Sequence, residues 1–157
     1  MPVVYVNIGS NLGDRVCFIN KAIEGISEKF GYYCLSGMVE SQPWGFDSHH
    51  PFLNLGIAFK SNLQPEDLLR ELKDLEKNIS RISHRDGNGN YQDREVDIDI
   101  MAIDEIVYKS PLLQVPHRFL VEREFFLRPL KELCPEWTDP ISGIPIKQLL
   151  EKCLKED

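Results

Sequence analysis

Hydrophobic and polar positions follow regular periods along the chain, and these periods predict short strands alternating with amphipathic helices. The first run, residues 3–8, is rich in β-branched side chains and predicts a buried strand. Apolar residues then recur at helical spacing from Val16 to Phe30, which predicts an amphipathic helix. Asp14 is suited to cap the start of this helix, and Gly31 is suited to end it.

A second group of periodic segments follows the first helix. Residues 34–41 and 52–60 predict two strands, and in the second strand the odd-numbered residues from Leu53 to Phe59 form the apolar face. Asn54 would therefore project from the opposite face of the sheet. Further helices are predicted in three segments: residues 62–82, part of 119–133, and 146–154.

Residues 94–103 combine a strand period with acidic side chains on one face. The period places the even-numbered residues from Val96 to Ala102 on an apolar face and three acids on the other: Glu95, Asp97 and Asp99. Asp is depleted in strands, so two of them on one face are locally unfavourable. Two such carboxylates can converge on hard cations, which prefer oxygen ligands. The alternative is a solvated face of an edge strand.

The order strand–helix–strand–strand–helix–strand predicts the fold class. It is the order of an α+β domain with a ferredoxin-like antiparallel sheet, which carries both helices on one face. We expect a single domain over residues 1–157, with mobile active-site loops on the other face. Asn54, Asp97 and Asp99 would lie on that second face.

Two loops offer candidate chemistry beside the acidic strand. Residues 9–14 contain two glycines before a helix and could bring backbone N–H groups to an anion, although a structural turn is the more common role. Residues 83–93 are rich in Asn and Gly, carry Tyr91, and lie between Arg81 and Arg94. This pattern indicates a lid over a phosphate–metal site, and the alternative is a solvated loop with scattered charge.

Composition narrows the classes of partner. The 157 residues carry a formal net charge of −7, which argues against nucleic acid or an anionic membrane as partner. The four cysteines are widely spaced, as is typical of reduced thiols in a cytoplasmic protein. We expect neither a membrane span nor a signal peptide from this sequence.

Four separated segments together resemble one enzyme family. They are residues 9–15 (GSNLGDR), 52–54 (FLN), 94–100 (REVDIDI), and VPH at 115–117 followed by Arg123, Phe125 and Pro129-Leu130. In combination they are similar to 6-hydroxymethyl-7,8-dihydropterin pyrophosphokinases of folate biosynthesis. The resemblance implies a cytoplasmic, monomeric, ferredoxin-like enzyme that transfers diphosphate from ATP to the hydroxymethyl group of a reduced pterin, releasing AMP.

The resemblance also implies roles for individual residues. Asp97 and Asp99 would be the ligands of two Mg²⁺ ions that bridge the ATP phosphates, with Asp97 also the nearest candidate to accept the hydroxyl proton. The implied catalytic residues are Arg81, Arg94 and Asp97. The implied nucleotide-binding residues are Glu76, Arg81, Ile100, His117 and Arg123. The implied pterin-binding residues are Ser41, Trp44, Phe52, Asn54, Tyr91 and Phe125.

The sequence departs from the family pattern at a few positions. Leu112 replaces an arginine found in some members, Arg118 replaces a common aromatic residue, and Tyr91 replaces a tryptophan of the lid. The lid is also longer, which leaves the role of Arg85 open. These departures concern ATP contacts and lid closure rather than the reaction.

A different class of function is compatible with the fold alone. Ferredoxin-like domains also serve as small-molecule sensors or as interaction domains without chemistry. A passive binder would not need an acid pair beside an arginine-bearing loop. Mg²⁺-dependent affinity for ATP would distinguish the enzyme from the sensor.

Overall fold

Six strands, four α-helices and one short 3₁₀ helix occur in the part of the chain that the computed structural model describes, residues 1–42, 50–80 and 94–155. The strands are β1 (Val3–Ser10), β2 (Tyr33–Ser41), β3 (Phe52–Lys60), β4 (Asp97–Ile103), β5 (Tyr108–Lys109) and β6 (Gln114–Val115). The helices are α1 (Arg15–Phe30), α2 (Pro65–Ile79), the 3₁₀ helix (Leu120–Glu122), α3 (Glu124–Leu133) and α4 (Ile146–Lys155).

The main sheet has the strand order β2-β3-β1-β4, and every neighbouring pair is antiparallel. Helices α1 and α2 pack on one face, where Ile8, Ile57 and Ile98 are fully buried in the larger core. The odd-numbered residues of β3, from Leu53 to Phe59, all belong to this core or pack against it, as their alternation predicts. The α+β, ferredoxin-like prediction is confirmed.

The second face of the sheet, where we expected only loops, is partly covered by helices. Helix α3 crosses it and packs with α4 over a second core that contains Tyr5, Met101, Phe126 and Trp137. The sequence pattern identifies α3 and α4 as amphipathic but does not show which surface they cover. The two helices bury one part of this face and leave the remainder open beside Asp97.

A β-bulge changes the alternation in β4. Tyr5 pairs with Ala102 and Val6 pairs with Ile100, so Met101 is the extra residue. The prediction that Ala102 shares the apolar face of Val96 is therefore wrong, since Ala102 lies in the second core. Because the bulge follows Asp99, it leaves the alternation of the two acids unchanged.

Most element ends follow the predicted signals, with local corrections. Asp14 caps α1 by accepting a hydrogen bond from the Cys17 N–H, and Gly31 ends this helix at a φ of 84°. Val16, by contrast, is exposed rather than part of the buried stripe. Helix α2 ends at Ile79, short of the predicted residue 82, which lies outside the described residues.

No helix in the described ranges is long and apolar enough to cross a membrane.

Gly56 allows α3 to approach the sheet closely. A Cβ atom at this position would lie 2.6 Å from Pro129 Cβ and 3.0 Å from Leu133 Cδ1, both on α3. Such a contact is shorter than side chains tolerate, so the glycine sets the distance between β3 and the helix that begins beside Phe125.

We predict that Gly56→Ala destabilises the protein by about 1–3 kcal/mol, because the added methyl group overpacks the β3–α3 contact. Thermal unfolding measures the change. Gly37→Ala is the matched control, since a Cβ there would meet only Glu132 at an ordinary distance of 3.8 Å. Equal stability of the two variants would contradict the packing argument.

Candidate active site

The registers of β3, β1 and β4 place the candidate residues in two rows across the open face. Gly9 of β1 pairs with Asn54 on one side and with Asp97 on the other. In the next row, Asn7 pairs with Asp99. Neighbouring strands lie about 4.8 Å apart, so Asn54 and Asp97 are separated by roughly 10 Å with only a glycine between them.

A pocket of about 990 Å³ opens over these rows. It brings together ten of the residues that the resemblance implies: Phe52, Asn54, Glu76, Arg94, Asp97, Asp99, Ile100, His117, Arg123 and Phe125. Ser41 lies behind the wall and contacts Asn54. The other implied residues, Trp44, Arg81 and Tyr91, lie outside the described residues, as does Arg85.

Arg94 is held from both sides at the base of the pocket. Its side chain is 6% exposed, and its Nη1 lies 2.5 Å from Asp97 Oδ1. Its backbone N–H donates to Asn11 Oδ1 at 2.7 Å, and its carbonyl accepts from the N–H groups of Asn11 and Leu12. The loop at residues 9–14 thus uses these amides to anchor Arg94, which supports the structural role for the loop over the anion cradle.

The two acids of β4 lie beside cationic side chains, and burial affects the charge of Asp97. Burial and the neighbouring charge of Asp99 raise the pKa of Asp97, while Arg94 and Lys73 act in the opposite direction. No group of three or more His, Cys, Asp or Glu side chains suited to a metal occurs among the described residues. Two carboxylates fit Mg²⁺, which takes one or two of them and completes its shell with waters and phosphate oxygens.

Lys73 and Glu76 of α2 meet the acid-bearing strand between its two aspartates. Glu76 Oε2 accepts from the Ile98 N–H at 2.6 Å, and Lys73 Nζ donates to Ile98 O at 2.9 Å. Although burial lowers the pKa of Lys73, the carboxylates of Asp99, Glu76 and Asp97 raise it above its usual value. Lys73 is a site residue that the sequence analysis missed, because a lysine beside an apolar stripe is typical of a helix surface.

Asn54 is oriented by β2. Its Nδ2 donates to Ser41 Oγ at 2.7 Å and to Val39 O at 3.3 Å, so its Oδ1 remains as the acceptor facing the row of Gly9. A Cβ at Gly9 would lie 3.2 Å from this oxygen and 3.4 Å from Phe52. The absent side chain therefore keeps the floor between Asn54 and Asp97 clear.

Phe125 and Arg123 are fixed at the start of α3. Asn7 Nδ2 donates to Phe125 O at 3.0 Å, which ties the helix start to the central strand. The Arg123 guanidinium lies 4.9 Å from the Phe126 ring centroid and 5.5 Å from that of Phe125. The sequence analysis also did not identify Asn7 as a site residue. As a polar residue within the apolar run at 3–8, it could have been recognised as a candidate.

His117 faces the pocket as a neutral hydrogen-bond donor. Its Nδ1 accepts from the Phe119 N–H at 3.1 Å, so the ring proton lies on Nε2. Burial and the nearby charge of Arg123 lower its pKa to about 3. The ring also packs edge-on against Phe126, with centroids 5.0 Å apart.

The two departures noted within the described ranges lie at the pocket wall. Leu112 is 70% exposed, and the Arg118 guanidinium lies 4.5 Å from the Phe119 ring centroid. Both are placed where they can contact a ligand that extends out of the pocket.

Comparison with known proteins identifies relatives over nearly the whole chain. The profile of the 7,8-dihydro-6-hydroxymethylpterin-pyrophosphokinase family matches residues 5–135. The chain is 39% identical over 148 residues to 2-amino-4-hydroxy-6-hydroxymethyldihydropteridine pyrophosphokinase of Aquifex aeolicus, covering 94% of this chain and 90% of that protein. It is 39% identical over 149 residues to the protein of the same name from Porphyromonas gingivalis, covering 92% and 99%.

More distant matches agree. The chain is 35% identical over 156 residues to folic acid synthesis protein fol1 of Pneumocystis carinii. The matched region covers 98% of this chain but 20% of that protein. Among solved structures, Plasmodium falciparum HPPK-DHPS with pteroate superposes with a TM-score of 0.76 at 13% identity. That superposition covers 99% of this chain and 45% of the other, and it supports the fold.

We predict that His117 stays neutral, with its proton on Nε2, between about pH 5 and 8. The imidazole ¹⁵N chemical shifts measure this state, and His117→Asn identifies the signals. The lowered pKa follows from burial and from Arg123. A midpoint near the ordinary histidine value would contradict it.

Proposed function

The chain belongs to the 7,8-dihydro-6-hydroxymethylpterin-pyrophosphokinase family, and from that membership we propose which pocket residues bind each substrate and which take part in the reaction. The enzyme transfers diphosphate from ATP to the hydroxymethyl group of 6-hydroxymethyl-7,8-dihydropterin, a step of folate biosynthesis. One observation carries the assignment of roles: a single pocket joins an acid pair to an aromatic and amide wall two strands away.

The reduced pterin lies on the side of Asn54. Two aromatic rings, Phe52 and Phe125, suit a flat heterocycle, and the oriented Asn54 Oδ1 suits an amino group at its edge. From there the hydroxymethyl group extends across Gly9 toward Asp97. Trp44 and Tyr91 complete the pterin site in this proposal, as the family resemblance implies.

ATP lies on the side of α2 and β4. We assign Glu76 and Ile100 to the nucleotide, and His117 and Arg123 to the phosphates. His117 can donate through Nε2 without carrying charge, while Arg123 supplies a permanent positive charge. Arg94 and Arg81 add charge where the transferred group develops it.

Asp97 and Asp99 would hold the Mg²⁺ ions, two in number. When bound, Mg²⁺ neutralises phosphate charge and orients the attacking and leaving oxygens. Asp97 and Asp99 both line the pocket, which supports this assignment.

The transfer itself needs positioning more than covalent help. The pterin hydroxyl oxygen forms a bond to the β-phosphorus of ATP, and the bond from that phosphorus to the oxygen bridging it to the α-phosphorus breaks. AMP leaves with the bonding electron pair, and the hydroxyl proton is released, with Asp97 as its proposed acceptor.

We further propose that the enzyme acts as a monomeric single domain in the cytoplasm, without nucleic acid or membrane as partner. The pocket is lined by residues from both halves of the chain, from Asn7 to Phe126, which supports a single-domain site. No disulfide joins any of the four cysteines, all of which lie in the described ranges, as is typical of a reducing compartment.

We predict that Asp97→Asn and Asp99→Asn each lower pterin-dependent AMP formation by about 100-fold or more, because each removes a charge that binds the cation. The assay compares AMP release from ATP and Mg²⁺ with and without 6-hydroxymethyl-7,8-dihydropterin. Asp104→Asn is the matched control: it follows the same strand, and its side chain accepts from the Val3 N–H at 3.0 Å. Near-normal turnover of the Asp97 and Asp99 variants at saturating Mg²⁺ would show that these residues are not the metal ligands.

We also predict that Ser41→Ala raises the KM for the pterin about fivefold and leaves the KM for ATP unchanged. The substitution removes the 2.7 Å partner that orients Asn54, a hydrogen bond of roughly 1 kcal/mol. Steady-state kinetics with each substrate varied in turn measure both constants. A change confined to the KM for ATP would contradict the proposed orientation of substrates.

A further inference from the structure

At Ile98, the outer edge of β4 is bound by a helix rather than by another strand. In the order β2-β3-β1-β4, β4 is the last strand among the described residues, so its outward N–H and C=O groups face no neighbouring strand. Ile98 lies on this strand between Asp97 and Asp99. Both backbone polar groups of Ile98 are bound by side chains from α2.

Three contacts form a closed ring around Ile98. Its N–H donates to Glu76 Oε2 at 2.6 Å, its carbonyl accepts from Lys73 Nζ at 2.9 Å, and Lys73 Nζ lies 2.8 Å from the same Glu76 oxygen. Lys73 and Glu76 are three positions apart, so they project from one face of α2. Together they supply the donor and the acceptor that a neighbouring strand would offer.

The carboxylate of this ion pair is more buried than that of the surface pair Lys29–Glu71, which joins α1 to α2. The Glu76 side chain is 4% exposed, and that of Lys73 is 37% exposed because it lines the pocket. The Lys29–Glu71 pair has the same 2.8 Å separation, but its side chains are 38% and 44% exposed. An exposed pair of that kind contributes little, whereas loss of Lys73 would leave the buried Glu76 carboxylate without its cation.

We propose that Lys73 is a positioning residue of the active site, which together with Glu76 clamps Ile98 so that Asp97 and Asp99 are held at a fixed spacing for the divalent cations. The clamp rests on the proposed role of Asp97 and Asp99. It acts through the backbone between them, as groups behind metal ligands commonly do. Lys73 itself does not react.

A simple counter-ion role makes the opposite prediction for metal affinity. If Lys73 only offset the negative charge, its removal would leave the aspartates more attractive to Mg²⁺ and lower the half-saturating concentration. If Lys73 holds the strand, its removal loosens the spacing of the ligands and raises that concentration. The sign of the change therefore separates the two roles.

The first test measures amide hydrogen exchange at Ile98 in the metal-free protein. Lys73→Met keeps the apolar stem but removes the charge and donors, and we expect exchange about tenfold faster or more. Lys29→Met, the matched control, leaves the rate unchanged. If the Ile98 amide exchanges as slowly in Lys73→Met as in the wild type, the proposed clamp is wrong.

If Lys73→Met does not fold, the exchange rate of Ile98 in the wild-type protein is the test. A rate as fast as that of an unstructured amide would overturn the clamp, and a slow rate would support it.

The second test measures the half-saturating Mg²⁺ concentration for pterin-dependent AMP formation. We expect it to rise about tenfold in Lys73→Met, with kcat lowered, the KM for the pterin unchanged, and substantial recovery in Lys73→Arg. An unchanged or lower value would refute the proposal. Failure of the metal site would appear in Asp97→Asn as near-normal turnover, whereas failure of the clamp would appear only in the Lys73 variants.

Discussion

Two carboxylates on one strand face repel each other, and the other residues of the site are arranged around this pair. Asp97 and Asp99 lie two residues apart on β4, and burial and the charge of Asp99 raise the pKa of Asp97. Arg94 contacts Asp97 directly, and Lys73 approaches the pair from α2. Lys73 is held by the Ile98 carbonyl and the buried Glu76 carboxylate, and Arg94 by Asp97 itself. The acid pair thus lies among cationic side chains, and its role as a metal site stays a proposal.

On the open face of the sheet, the acids lie at one end of a row of paired residues. The row Asn54–Gly9–Asp97 runs across three strands, with the amide at one end, no side chain in the middle and the carboxylate at the other. Helix α3 closes one side of the row and is held by Asn7 at Phe125. A substrate lying along this row would have its reacting group near the acids and its flat ring against the aromatic wall.

Local patterns were enough to predict most of the fold and the centre of the site. The alternation around Asp97 and Asp99, the projection of Asn54, and the capping of α1 by Asp14 all depend on near neighbours in sequence. The face covered by α3 and the bulge at Met101 could not be predicted, since both are set by packing between distant segments.

Long-range contacts explain what the sequence analysis missed. Lys73 bonds to a carbonyl 25 residues away, and Arg94 is anchored by Asn11, 83 residues earlier in the chain. Nothing local marks either contact. The roles of all the site residues stay predictions, and Trp44, Arg81 and Tyr91 also lie outside the described residues.

The most direct test of the central claim is to locate the divalent cations. Crystals grown with Mn²⁺, a non-hydrolysable ATP analogue and the reduced pterin would give an anomalous difference map. The account predicts two peaks, with the Asp97 and Asp99 carboxylate oxygens at coordination distances of about 2.1 Å. Peaks that contact only the nucleotide, with neither carboxylate as a ligand, would contradict it.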